Sequence, residues 1–210
     1  MKIYSYVVDH DLGLAPNPFG QYCTLAVCKP NIRKSAKLNI GDWVIGTGSR
    51  ALENVAKRSY INYLIYAMEV TEVISMDCYW RDQRFQYKKP NTGGSLVTMY
   101  GDNFYHKEGD IWVQENSAHS NINCSTNEKH LKTDVDGKNV LISDNFYYFG
   151  NQAPKIPNEL LDVCHAGIGQ KFVPDNIKNE FIEWLTLYHK KGINGDPVNW
   201  KQHSNLKIFI

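Results

Sequence analysis

NIGDWVIGTGS (39–49) decides how the chain is read. Gly41, Gly46 and Gly48 fall within eight residues, around the apolar run Trp43, Val44, Ile45. Such a stretch is either a phosphate-binding loop or a barrel strand bounded by turns. A P-loop needs G-x-x-x-x-G followed by Lys and Ser or Thr. Gly41 and Gly46 have that spacing, but Thr47 stands where the lysine belongs. The dinucleotide fingerprint is matched only in its G-x-G-x-x-A variant, by Gly46, Gly48 and Ala51. Glu69 is the one acidic residue at a suitable distance, and no alternating strand–helix pattern lies upstream. The stretch therefore predicts a turn at Gly41-Asp42, an inward strand over 43–45, and a close backbone approach over 46–49 to a ligand or a neighbour.

Working outward, IYSYVV (3–8) and YCTLAVC (22–28) are apolar, β-branched and aromatic, and predict strands. Between them DHDLGLAPNPFG (9–20) carries two prolines and must be a loop. Pro30 can open a short helix. RALENVAKRS (50–59) suits another. YLIYAMEVTEVISM (63–76) predicts one long strand, and IWVQ (111–114), KNVLIS (138–143) and FYYFG (146–150) predict shorter ones. At 174–192, Ile177, Phe181, Trp184, Leu185 and Tyr188 recur at helical spacing, with Asp175 or Asn176 as cap and His189 to Gly192 at the end. An α+β chain follows, expected to form one domain over 1–210 with a barrel core over about 1–160 and a C-terminal amphipathic helix. A helix, a Gly-Asp turn, an apolar strand and a second long strand, in that order, resemble PUA-like barrels, including the EVE, ASCH and YTH groups. That resemblance implies a mixed β-barrel with short flanking helices.

Composition narrows the function classes. With 210 residues and 42% apolar content the chain can bury a core unaided. A formal charge of +1 leaves nucleic-acid contact to local patches. The five cysteines (23, 28, 78, 124 and 164) are odd in number and form no CxxC. They specify neither a disulfide framework nor a four-ligand zinc site, and suit a reducing cytoplasm. MKIYSYVVDHD is too short an apolar run for a signal peptide, and no run nears the ~20 residues of a membrane span. No cofactor, metal or membrane partner is expected.

Two basic clusters stand out. Lys29, Arg33, Lys34 and Lys37 place four cations in nine residues, either a solvated helix face or phosphate contacts. Trp80, Arg81, Arg84, Phe85, Tyr87, Lys88 and Lys89 interleave rings with cations. That pattern is either a half-exposed hairpin or a surface for stacking bases and holding phosphates. For catalysis the candidates are scattered. His10 lies between Asp9 and Asp11, Cys28 precedes a cationic helix start where a thiol pKa can fall, and His119 and Asp144 lie in polar loops.

Several segments taken together resemble the nucleotide modification associated domain 2 family: IYSYVVDHDLGLAPNPF, CTLAVCKPNIRKSA, GDWVIGTGS, GDNFY and VLISDNFYYFGNQAPKIP. The matching positions are Asp11, Gly13, Ala15, Pro16, Asn17, Cys23, Thr24, Cys28, Pro30, Gly41, Asp42, Gly46, Gly48 and His119. The resemblance implies a role near modified nucleotides in phage or bacterial DNA modification and assigns no reaction. The expected function is binding of a modified base or nucleotide, with DNA or a nucleotide as partner and DNA-modification enzymes as candidate further partners. Trp43 and Trp80 would wall the pocket, with Gly46, Thr47, Gly48 and Ser49 at the base edge. Lys29, Arg33, Arg81 and Arg84 would hold phosphates. The alternative is an enzyme modifying a base or nucleotide through Cys28, His10, His119 or Asp144.

Overall fold

A computed structural model describes residues 1–56 and 58–200. In chain order its elements are β1 (Ile3–Val8), β2 (Cys23–Leu25), α1 (Pro30–Arg33), β3 (Trp43–Gly48), α2 (Arg50–Ala56), β4 (Leu64–Glu69) and β5 (Glu72–Ser75). There follow α3 (Met76–Arg81), α4 (Leu96–Met99), β6 (Tyr105–Glu108), β7 (Ile111–Gln114), α5 (Glu128–Val135), β8 (Asn139–Ser143) and β9 (Phe146–Tyr148). The last are β10 (Gln170–Phe172), α6 (Asp175–Tyr188) and β11 (Gly192–Ile193), and short 3-10 segments fill several connections. This is the expected α+β class. Its contacts sort into two units interleaved in sequence, one of Met1–Leu12, Asn39–Val70 and residues from Asn145 on, the other of Gly13–Leu38 and Thr71–Asp144. The one-domain reading also took in residues 201–210, which lie outside those described.

The first unit is built on a six-stranded sheet in the order β10-β1-β3-β4-β9-β11. β1 runs parallel to β3, Ile3 opposite Trp43, and β4 runs antiparallel to β3, Val44 opposite Met68. Both faces of these central strands are covered, which is why 43–45 and 64–68 read as continuous apolar runs rather than alternating ones. Among the described residues the edge strands β10 and β11 do not pair, so the sheet stays open and the barrel expected from the PUA-like order is not closed. The glycines do permit close approach, but to neighbours in the same unit. A Cβ at Gly46 would lie 2.4 Å from the Tyr66 ring, and one at Gly48 would lie 2.2 Å from the Tyr60 carbonyl oxygen. Helix α6 buries Ile177, Phe181 and Leu185 against the 3-10 segment Asn158–Val163. It ends at Tyr188, which is 74% exposed, rather than at 192, and no side chain caps its start. Pro174 holds the N-cap position.

The second unit pairs β2, β8 and β5 in an antiparallel sheet of order β2-β8-β5, with β6 and β7 as a separate hairpin. The long strand expected over 63–76 is thus two strands. β4 ends at Glu69 in one unit and β5 starts at Glu72 in the other. Residues 78–89 form no hairpin. The Ser75 hydroxyl accepts from the Cys78 N–H at 3.1 Å and starts α3, and Asp82 accepts from the Arg84 N–H at 2.9 Å and starts a 3-10 turn. Side-chain caps set the local structure there, and caps are weak signals in an aromatic sequence.

A buried polar network holds the loop before β2. The Lys88 ammonium donates to the Asn17 carbonyl at 2.9 Å and to its side-chain oxygen at 2.8 Å. Asp102 accepts from the Thr24 hydroxyl at 2.6 Å and from the Tyr79 phenol at 2.7 Å. Burial pushes Lys88 down to about 8, against the opposing charge of Asp102. The network fixes β2, which leads in three residues to Cys28.

Candidate active site

Beyond β2 the chain stays buried through Ala26 and Val27, then turns through two consecutive left-handed residues, Cys28 (φ 57°) and Lys29 (φ 42°). Neither is glycine, so each carries a strain of roughly 1–3 kcal/mol that neighbours must hold. They do so from both sides. The Cys28 N–H donates to Asp134 Oδ1 at 2.7 Å, and the Cys28 carbonyl accepts from Arg33 Nε at 2.7 Å. Pro30 then opens α1 with its fixed φ. The kink leaves the thiol half-exposed, 3.9 Å from Nε2 of His119.

His119 lies in the loop after β7, where its own N–H donates to the Ser117 hydroxyl at 3.3 Å. Its Nδ1 is 2.7 Å from Asp134 Oδ2. A carboxylate only accepts, so Nδ1 carries the proton and Nε2 faces the thiol. Asp134 is on α5 and 1% exposed, and its remaining acceptor capacity takes the Tyr105 phenol at 3.0 Å. Thiol, imidazole and carboxylate thus form a relay in which a nucleophile meets a base and the base is oriented by a third group.

Arg33 underpins the relay. It is 1% exposed and donates to the Asp134 carbonyl at 2.6 Å and the Asn139 carbonyl at 2.8 Å, as well as to Cys28. Its guanidinium is 4.0 Å from the Asp134 carboxylate. Only a glycine fits beside it, because a Cβ at Gly137 would lie 2.3 Å from Arg33 Cζ.

The charges follow from this geometry. Burial by itself would lower the His119 pKa, but hydrogen bonds to Asp134 and Cys28, with their charges, outweigh it and raise it to about 9. Burial would raise Asp134, yet the His119 hydrogen bond, the Cys28 N–H and Arg33 hold it below its usual value. The raised His119 pKa contributes stability that is complete below its unfolded value of ~6.5 and is lost as pH rises through about 9. Asp134→Asn removes the largest upward influence, so the His119 midpoint should fall towards neutrality. An NMR titration of the ring in both proteins reads this directly, and an unmoved midpoint would contradict the assigned role of Asp134.

His130, four residues before Asp134 on α5, places its ring 4.4 Å from that of His119. Ligand-capable atoms of His119, His130 and Asp134 lie within 4.8 Å of one another. The Asp134 carboxylate already accepts from Cys28, His119 and Tyr105, so its geometry is that of an orienting group rather than a vacant ligand.

Of the four catalytic candidates the structure brings together Cys28 and His119. His10 is exposed in the first unit. Asp144 is exposed after β8, its N–H on the Thr71 hydroxyl at 3.3 Å. The carboxylate of the relay is Asp134, which no motif marked. Arg33, expected on phosphate, is instead buried and fully engaged. Arg81 pairs with Asp77 at 3.1 Å, and Arg84 with Glu72 at 2.8 Å and Asp82 at 2.7 Å. Lys29 is half-buried in the kink. Trp43 is buried beside Tyr147, and the Thr47 hydroxyl donates to the Tyr6 carbonyl at 3.4 Å. The Ser49 hydroxyl accepts from the Leu52 N–H at 3.1 Å, capping α2. Trp80 belongs to the other unit, half-buried and stacked on His106.

The fold and this site define an α+β protein carrying a Cys–His–Asp relay beside a strained thiol. The chain belongs to the nucleotide modification associated domain 2 family, whose model matches residues 1–204. No curated protein and no solved structure matches it significantly. Among the described residues no helix is long and apolar enough to cross a membrane.

Proposed function

We propose that this chain is a thiol-dependent enzyme acting on a nucleotide or nucleobase, free or in DNA, within a DNA-modification or phage-defence setting. The observation that carries the reading is the relay itself, with Cys28 Sγ 3.9 Å from His119 Nε2 and His119 Nδ1 2.7 Å from Asp134. The proton that the Cys28 sulfur gives up resides on His119, which its Asp134 partner keeps protonated, and the sulfur bonds to an electrophilic carbon of acyl or amide type on the substrate. His119 returns the proton to the leaving group as its bond to that carbon breaks. Water or an amine, deprotonated by His119, then attacks the thioester, and the thiol is regenerated with its proton. The family supplies the nucleotide context, the relay supplies the chemistry, and a reducing cytoplasm would keep the thiol available. The binding reading expected from the sequence is contained in this one, since the enzyme must first hold the nucleotide.

The test is alkylation by iodoacetamide at pH 6.5, mapped by peptide mass spectrometry. Cys78 and Cys124 are exposed and serve as internal references. With an Asp134-oriented imidazole 3.9 Å from its sulfur to hold the thiol proton, Cys28 should be alkylated at least about tenfold faster than either reference. Equal rates at all three would remove the proposal.

A further inference from the structure

A groove of about 360 Å³ opens in the same unit, lined by Trp80, Lys89, Asn91, Thr92, Glu115 and Asn116 among others. Its volume suits a small ligand. Trp80, at the end of α3, has one face stacked on His106, ring centroids 4.3 Å apart at 15°. His106 is itself fixed by Glu115, 2.9 Å from its Nε2. The Lys89 ammonium sits 3.4 Å from the centroid of the indole ring. It cannot share the face that His106 covers at that spacing, so it lies on the other.

We propose that this groove is the nucleotide seat, the base stacking on the Trp80 face that Lys89 covers while the Lys89 ammonium moves onto a phosphate. The inference deepens the proposed function and rests on its nucleotide class. A lysine head on a flexible four-carbon stem is a replaceable cover. A base covers the whole indole face where an ammonium touches it at one point, and every base has a suitable face. Burial by the surrounding groove already pushes the Lys89 ammonium down, with Glu115 opposing, so a phosphate there meets a partly desolvated cation. Asn91, Thr92 and Asn116 supply hydrogen-bonding groups around it, with the Asn116 amide on the Thr92 hydroxyl at 3.3 Å. The groove is also tied to the relay through the chain. Asn116 is three residues before His119, so their Cα atoms are at most about 11 Å apart.

Calorimetric titration tests this with the full chain carrying Cys28→Ala, so that no turnover interferes. The probes are AMP, GMP, CMP and dTMP, the corresponding nucleosides, and inorganic phosphate. At least one monophosphate should bind more tightly than both its nucleoside and phosphate. Trp80→Leu should weaken that affinity about tenfold or more, with Trp80→Phe retaining part of it. Lys89→Met should weaken the monophosphate and spare the nucleoside. Near-UV circular dichroism of Trp80→Phe confirms that the unit is folded. Binding unchanged in the Trp80 and Lys89 variants, no monophosphate bound, or phosphate bound as tightly as the monophosphate would each overturn the seat. The alkylation rate of Cys28 does not depend on it, so the two readings fail separately.

Discussion

Cys28→Ala should abolish turnover while leaving the nucleotide bound. In relays of this kind the nucleophile and its base act as one unit, and losing either costs on the order of 10⁶ in rate. His119→Ala should therefore match Cys28→Ala, and the double variant should be no worse than either, because each single change already disables the unit. The readout is the mass of products from a panel of free nucleotides and short DNAs carrying modified cytosine, thymine or guanine. Acid-quenched protein should also carry a covalent substrate fragment in the unaltered chain and none in Cys28→Ala. Turnover surviving Cys28→Ala within about tenfold, or an adduct persisting there, would assign the nucleophile elsewhere. The same panel separates reader from enzyme, since affinity without any mass change in the unaltered chain would leave the relay without a reaction.

How much of this was legible in the sequence differs from element to element. The central strands were plain, because β1, β3 and the first half of 63–76 are buried on both faces and composed accordingly. The division of 63–76 was not, since β4 and β5 adjoin in sequence and only their partners tell them apart. β4 pairs with β3 and β9, and β5 with β8. The glycines of 39–49 announced close approach but not what approaches, and Tyr60 and Tyr66 lie up to twenty residues on. At the site, Cys28 had a local signature, a thiol between a strand and a proline-opened helix. His119 was a polar-loop histidine within the family resemblance. Asp134 had no signature, because an aspartate on an amphipathic helix is ordinary until tertiary contacts turn it inward. Asp144, the nearer match by loop character, stays in solvent. Arg33 misled for a related reason. Its neighbours Lys34 and Lys37 suggest a solvated basic face, and no local pattern shows that one of the set points into the core. The clue was Gly137, whose missing Cβ makes room for the guanidinium more than a hundred residues away.

That buried guanidinium sets the second large effect. Arg33→Met should destabilise the protein by about 3–5 kcal/mol or more, as expected when one partner of a buried charge pair is removed. Methionine fills much of the volume but donates nothing. The carbonyls of Cys28, Asp134 and Asn139 would each lose a donor now within 2.6–2.8 Å. An unsatisfied buried acceptor costs roughly 1–3 kcal/mol, which is a large part of an ordinary domain's 5–15 kcal/mol. Burial lowers the Arg33 pKa and the Asp134 charge opposes that shift, so the guanidinium is buried only with its partners in place. Urea unfolding measures the destabilisation, and a change below about 1 kcal/mol would contradict the central place given to Arg33. The strained kink supplies a second readout. Without Arg33 on its carbonyl, Cys28 is held in the left-handed region from one side only, so its alkylation should slow towards that of Cys78 and Cys124 in the fraction still folded. Gly137→Ala should act in the same direction without removing a charge, since its new methyl would displace the guanidinium from these three carbonyls. If Gly137→Ala lowers stability and Cys28 reactivity together, the arginine is what couples the fold of this unit to the geometry of its thiol.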